Sequence, residues 1–390
     1  MKTARMAPAG LAATVAAAAA VAAYTWRRRQ HARRRLRAHC WWDVPPGLLA
    51  VLETSVDVST VELTVGASGC PSDVEVCVFP NAAWEARVDV DGLASLASLV
   101  AIVVPYAGIM PKHLDRLRAI LGGRLGSTGE GGVALHNLHH NGPITAEMAI
   151  ALLLAAAKRL IPADRRIRQH DWRPRGLPFA GAQVDPPEPM VMLDGRTALV
   201  LGLGGVGSRV AAVCAALGMA VLATKRSARL GGEGGGSGIE VHPPGALREL
   251  LPRADALLVC LPGTEETRGL IGAEELALLP RHAVVVNVGR GAVIDEHALY
   301  AALREGRLHG AGLDVWWSYP ATYEEALCTP PSAFPYGELD RVVLSPHRGG
   351  GIGVADLELA RMRRIGEMLS AAGRDGVERM PHRWDFGLGY

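Results

Sequence analysis

Only six cysteines occur in the 390 residues, at Cys40, Cys70, Cys77, Cys214, Cys260 and Cys328, and no two of them form a C-x-x-C pair. That scatter excludes a metal clip read from spacing and a disulfide-dense secreted scaffold. The thiols are expected to be reduced and mostly buried, with Cys70 and Cys77 the one spacing suited to a disulfide. Acid is missing from residues 1–42, which hold nine Lys or Arg, so the remaining 32 basic and 39 acidic residues give the body a net charge of −7. An acidic body argues against nucleic acid as a partner, because such a surface must neutralise phosphates. No repeat of fixed period is present, which excludes a solenoid or a propeller.

The acid-free start is read as residues 1–44, separate from the fold. Residues 6–26 form an alanine-rich apolar run of 21 residues, and "RRRQHARRRLR" follows at once. An Arg-rich, acid-free leader predicts an organellar transit peptide, for a chloroplast or a mitochondrion. A signal anchor holding the body in the cytosol is the alternative, since the length would span a bilayer, and a disordered tail is a third reading. A membrane partner is expected only in the anchor case.

From about Pro45, short β-rich runs alternate with helical segments, in a chain long enough for two domains. Strands are expected at 74–79, 99–105 and 133–138, and a helix at 111–121. A helix over 143–161 is apolar on every face between Glu147 and Lys158, too short to span a membrane, and is expected between protein layers. The Pro- and Gly-rich stretch 173–195 reads as a surface connector, and the low-complexity loop 231–238 carries no assigned function. A second α/β series has expected strands at 198–201, 220–223, 256–260, 283–287, 309–314 and 341–344. An amphipathic helix is expected over 355–373, with the tail returning to the first domain.

The stretch "VLGLGGVGSRV" places Gly202, Gly204 and Gly207 in G-x-G-x-x-G spacing, with Gly205 and Val206 between them. Gly202 allows the tight turn, Gly204 lets backbone approach a pyrophosphate, and Gly207 lets helix and strand pack closely. The helix start then points its N–H groups and positive dipole end at the anion. A strand before, a helix after, and a further strand about 18 residues on predict dinucleotide binding. Where an NAD site usually carries an acid, the second strand ends in Thr224, Lys225 and Arg226. Two cations attract a 2′-phosphate, so NADP is expected over NAD. Solvated surface charges with NAD bound are the other reading.

The segment "LLVCLPGTEETRGLIGAEELALLPRHAVVVNVGRGAVIDEHALYAALREGRLHGAGLDVW" and the later "VVLSPHRGG" resemble the D-isomer-specific 2-hydroxyacid dehydrogenases. The resemblance runs over most of residues 95–350. It implies two doubly wound parallel-sheet α/β domains, the NAD(P)-binding Rossmann domain (166–350) inserted into a discontinuous flavodoxin-like substrate domain (45–165 and 351–390). One hinge helix would be 143–161 and the other would follow residue 352. The same resemblance makes Arg290 the residue that orients the substrate carboxylate and polarises its carbonyl. A permanently charged fork suits that task. His347 would exchange a proton with the substrate oxygen, as imidazole titrates near working pH. Asp314 would position the nicotinamide carboxamide, and Leu261, Pro262 and Val288 would line the cofactor. Dimerisation through the cofactor domain is implied as well.

One departure stands out. Five residues after Asp314, where most relatives carry a glutamate bonded to the catalytic histidine, this chain has Tyr319, and no carboxylate occurs before Glu324. A phenol can orient His347 by a hydrogen bond without adding negative charge, so the histidine pKa is expected to fall below that of glutamate-bearing relatives. "YAGI" resembles the substrate loop of the formate dehydrogenase branch, with Ala107, Gly108 and Ile109 facing substrate, and "HHNGPITAEMA" its asparagine loop, with Asn141 beside the ligand. A small 2-oxo acid such as glyoxylate or hydroxypyruvate is the expected substrate. The alternative is a catalytically impaired, dinucleotide-sensing scaffold or corepressor-like relative. His136, His139 and His140 suggest a polar cleft, and no metal is expected.

Overall fold

The computed structural model describes residues 34–80, 90–109, 111–127, 131–172, 190–228, 238–322, 324–351 and 353–387. The leader run 6–26, residues 173–189 of the connector and residues 231–237 of the glycine loop lie outside the described residues. Contacts divide the chain into two units, one holding residues up to Leu138 together with Glu358–Phe386, the other holding His139–Leu357.

The first unit is a parallel sheet in the order β2-β1-β3-β4-β5. Its strands are β1 (Leu36–Cys40), β2 (Val61–Val65), β3 (Val76–Val78), β4 (Ala101–Val104) and β5 (Ala134–Asn137). Helices α1 (Pro46–Ser55) and α2 (Pro111–Leu121) lie between them in sequence. β1 corrects the reading of 1–44 as separate from the fold, because it pairs with both β2 and β3. The reason is local. Ala38 and Cys40 pack into the core, while Arg35 and Arg37 meet acids from later in the chain, Arg35 reaching Glu62 at 3.5 Å and Arg37 reaching Glu75 at 3.5 Å and Asp73. Those arginines serve the fold. Cys70 and Cys77 remain thiols, with their sulfurs 3.3 Å apart.

The second unit is also wholly parallel, in the order β12-β11-β10-β9-β6-β7-β8. The strands are β6 (Thr197–Leu201), β7 (Ala220–Thr224), β8 (Ile239–His242), β9 (Ala256–Val259), β10 (Val284–Asn287), β11 (Gly310–Leu313) and β12 (Val342–Leu344). β9, β10 and β11 are buried at every residue, as near-continuous apolar runs covered on both faces should be. The unit begins earlier than the expected 166, because α3 (Gly142–Ala157) packs on β10 and β11. A side-chain carbon at Gly312 would come within 2.7 Å of Leu152 Cβ, so glycine lets helix and strand meet. Leu153 of α3 is fully buried, which contributes about 2 kcal/mol.

The expected burial of α3 between layers holds for one face only. The other, through Pro143, Glu147, Ile150 and Leu154, lines an apolar groove of about 600 Å³ with Arg209, Ala212 and Val213 of α5 (Gly207–Ala216). Among the described residues no helix is long and apolar enough to cross a membrane. The last long helix, α8 (Ala355–Asp375), crosses the unit boundary and buries Met362, Ile365 and Leu369 in the first core.

Candidate active site

β6 ends at the first glycine of the motif. Gly202 has φ +89°, which favours glycine, and its N–H reaches the Thr224 carbonyl at 3.2 Å and the Thr224 hydroxyl at 3.3 Å. Gly207 has no room for a side chain: a carbon there would fall 1.9 Å from the Gly202 carbonyl oxygen. At Gly204 and Gly205 the same carbon would meet nothing within 4 Å, so the turn faces open space. Val206 precedes α5 without a side-chain cap; Ser208 N reaches the Gly204 carbonyl at 3.0 Å and Arg209 N that of Val206 at 3.0 Å, so what the helix start offers an anion is its positive dipole end. Leu261 packs against Gly202, and the Pro262 carbonyl accepts from the Thr267 hydroxyl at 2.7 Å. Thr224 is buried and braces the turn, whereas Lys225 and Arg226 are exposed. These residues fit a dinucleotide: the backbone is close where the pyrophosphate needs it, and cations stand at the end of β7.

Arg290 follows β10 on a loop held by the Asn287 side chain and by backbone bonds. Asn287 Nδ2 donates to the Arg290 carbonyl at 2.9 Å, its Oδ1 accepts from Gly289 N at 3.0 Å, and the Val288 N–H reaches the Val259 carbonyl at 3.2 Å. The guanidinium donates to the Gly289 carbonyl at 2.7 Å. Although solvent reaches Arg290, surrounding groups strip enough water from it to hold its pKa below the usual arginine range, and Tyr319 counters slightly.

His347 lies beyond β12 with φ +57°, a left-handed conformation uncommon for a residue with a side chain. Its turn is tied down from β11. The buried Asp314 carboxylate accepts from the Ser345 hydroxyl, from Arg348 N at 2.8 Å and from Gly349 N at 2.8 Å. The resemblance gave Asp314 the nicotinamide carboxamide to position; within the chain the same carboxylate clamps the histidine turn. Trp316 Nε1 reaches the Ser345 carbonyl at 2.8 Å, and Thr145 Oγ1 of α3 reaches that of Gly349 at 2.7 Å. Ser345, Asn287 and Thr145 were not singled out from sequence. The Asn of "NVGRG" and the Ser of "SPHRGG" were the available signals.

Tyr319 does meet His347, though not by the expected hydrogen bond. The rings face each other at 5.5 Å and 55°, and the phenol oxygen accepts from Trp316 N at 3.0 Å. Tyr319 is 48% exposed, yet the groups around its hydroxyl displace enough water to raise its pKa, partly offset by that Trp316 bond and by Arg290. Although solvent reaches His347, surrounding groups strip enough water from it to lower its pKa, the Arg290 charge adds to the drop, and Asp314 pulls the other way. The sequence reading attributed this drop to a missing carboxylate. Arg290, His347, Tyr319 and Asp314 are therefore near enough to act on one another's charge.

Asn141 caps α3 through its carbonyl, which accepts from Thr145 N at 3.0 Å. Ala107, Gly108 and Ile109 belong to the first unit, where Asn137 Nδ2 pins the Ala107 carbonyl at 2.9 Å and Ile109 packs on the core. Burial lowers the pKa of His136, loss of hydration among its neighbours lowers that of the exposed His139, and His136 Nδ1 bonds the Pro381 carbonyl at 2.9 Å. Among the described residues, no group of three or more His, Cys, Asp or Glu could hold a metal ion.

The family model for the D-isomer specific 2-hydroxyacid dehydrogenase NAD-binding domain matches residues 150–349. A glyoxylate reductase of Thermococcus onnurineus (strain NA1) is 38% identical over 209 residues, covering 53% of this chain and 56% of that protein. A D-3-phosphoglycerate dehydrogenase of Mycobacterium leprae (strain TN) is 36% identical over 240 residues, covering 58% of this chain and 40% of that protein. The chain thus spans about half the length of these curated relatives. Among solved structures, an NADPH-dependent glyoxylate/hydroxypyruvate reductase from Sinorhizobium meliloti matches with a TM-score of 0.59 and 25% identity, over 90% of this chain and all of that one.

Proposed function

We propose, on the premise that this chain belongs to the D-isomer-specific 2-hydroxyacid dehydrogenases and carries their NAD-binding domain, that it transfers a hydride between NAD(P)H and a small 2-oxo or 2-hydroxy acid such as glyoxylate or hydroxypyruvate. The observation that carries this reading is the placing of Arg290 and His347 just past the carboxyl ends of β10 and β12, on either side of β11 in one parallel sheet. When bound, the nicotinamide supplies a two-electron hydride donor and acceptor. Gly202, Gly204, Gly205, Val206 and Gly207 would hold its pyrophosphate, Thr224, Lys225 and Arg226 its ribose end, and Leu261, Pro262 and Val288 its flanks.

In reduction, Arg290 takes the substrate carboxylate in its fork and stabilises the negative charge growing on the carbonyl oxygen. His347 delivers a proton to that oxygen; in oxidation it takes the proton back. Tyr319 limits the tilt of the imidazole by ring contact. A lowered histidine pKa means that the imidazolium disappears earlier as pH rises, so the alkaline limb of reduction falls at lower pH than in glutamate-bearing relatives. Lys225 and Arg226 support a preference for NADP. The test is titration of cofactor fluorescence with NADPH and NADH, followed by turnover on glyoxylate, hydroxypyruvate, pyruvate and phenylpyruvate. Tighter NADPH binding and oxidation with one of these acids are expected; binding without turnover on any of them would leave a dinucleotide-sensing scaffold in place of an enzyme.

We further infer a homodimer formed through the cofactor unit, for which the groove between α3 and α5 is an apolar surface of suitable chemistry. Light scattering should give twice the chain mass, and Val213→Glu should lower it; a wild-type protein of single-chain mass ends the inference.

A further inference from the structure

We propose that Glu266 sets the balance between the two dinucleotides by competing with the cofactor's 2′-phosphate for Arg226. The proposal rests on the reading of Arg226 as a phosphate ligand and goes beyond it by naming the group that opposes it. In the sheet, β6 lies between β7 and β9, and its end carries the Gly202 turn. Arg226 stands on the loop after β7 and Glu266 on the loop after β9. Arg226 Nη2 donates to Glu266 Oε2 at 3.0 Å, so the ion pair reaches across the end of β6 from one flanking loop to the other. Open α/β sheets bind nucleotides at this kind of place, where strand order reverses beside the first strand.

The two sides of the pair differ in how firmly they are built. On the β9 side, Thr264 N reaches Thr267 Oγ1 at 2.8 Å and that hydroxyl reaches the Pro262 carbonyl at 2.7 Å, forming a tight turn. The neighbouring Glu265 is taken by Arg268 at 3.1 Å, so the successive carboxylates go to different cations and only Glu266 faces β7. Both partners are solvent-exposed, with the Arg226 side chain at 41% and that of Glu266 at 73%, which lets the pair open without unfolding anything. A 2′-phosphate must first displace the carboxylate and then sit beside it, at a repulsive cost. A 2′-hydroxyl meets neither penalty, and a carboxylate can accept a hydrogen bond from it. Glu266 thus pulls toward NAD a site whose β7 cations favour NADP.

Four variants in the full chain test this: Glu266→Gln, Arg226→Gln, Lys225→Gln and the double substitution of Glu266 and Arg226, each titrated with NADPH and with NADH. Glu266→Gln is expected to tighten NADPH binding about two- to fivefold, the scale of an exposed ion pair, with a smaller change for NADH. The gain should vanish when Arg226 is also replaced and should shrink as salt rises. A Glu266→Gln protein with unaltered NADPH affinity, or a gain that survives the loss of Arg226, overturns the proposal alone. If Arg226→Gln and Lys225→Gln each leave NADPH binding unchanged, the phosphate reading falls and the proposal falls with it.

Discussion

Arg290 and His347 stand two strands apart in the same sheet, and the chain fixes them by opposite means. The arginine loop is held by uncharged hydrogen bonds from Asn287 and by glycines packed too closely to admit a side chain. A side-chain carbon at Gly289 would lie 2.4 Å from the Leu261 carbonyl oxygen, one at Gly291 would lie 2.2 Å from that of Trp316, and one at Gly263 would crowd Arg290 Cγ at 2.9 Å. The histidine turn is held by charge-assisted hydrogen bonds, three donors converging on Asp314 around a left-handed backbone. The first device tolerates no added atom, and the second no lost charge. The difference matches the tasks: a permanent cation need only be placed, whereas a proton carrier also needs its surroundings set.

The largest effect should come from Arg290 itself. Arg290→Lys keeps a positive charge but loses the fork, so kcat/KM for the accepted 2-oxo acid should fall roughly 100- to 1000-fold, with NADPH affinity little changed. Steady-state kinetics beside cofactor titration checks both halves. A loss below tenfold would mean that the guanidinium is not the carboxylate fork.

Asp314→Asn sharpens the comparison at its other side. An amide keeps one acceptor and turns a donor toward N–H groups that already donate, so at least one of the Ser345, Arg348 and Gly349 donors loses its partner. The cost should be about 2 kcal/mol in unfolding free energy, read by urea titration, together with a lowered kcat. An equal substitution at exposed Asp340 should do neither. Unchanged kcat in Asp314→Asn would show that the turn finds its place without the carboxylate.

Sequence reading went furthest where backbone chemistry dictates residue type. The glycine turn needs positive φ at Gly202 and an absent side chain at Gly207, so its spacing could be read directly, as could the buried strands around it. It went least far where a residue's partner is distant. β1 was set aside with the arginine-rich leader because Asp73, Glu75 and Glu62, the acids that receive Arg37 and Arg35, come much later in the chain. Asp314 had a family role to suggest it, yet its clamp on Ser345 and Gly349 spans more than 30 residues and has no local signature. The ion pair of Arg226 with Glu266 was hidden in the same way, since only the sheet order brings those loops to one place.

The smallest effect concerns Tyr319, and it separates placing the histidine from setting its charge. Tyr319→Phe keeps the ring against His347 but removes the oxygen that accepts from Trp316 N, so about 1 kcal/mol of stability should be lost while the pH profile of reduction stays put. Tyr319→Glu does the reverse. A carboxylate beside the imidazole favours the imidazolium, offsets the lowering by lost hydration and by Arg290, and raises the histidine pKa. Because reduction consumes the proton that His347 carries, its rate falls as pH climbs through that pKa. The alkaline limb should therefore move to higher pH in Tyr319→Glu alone. A limb that moves equally in both variants would assign the control to the phenol's hydrogen bond, and one that moves in neither would place the controlling titration elsewhere than His347.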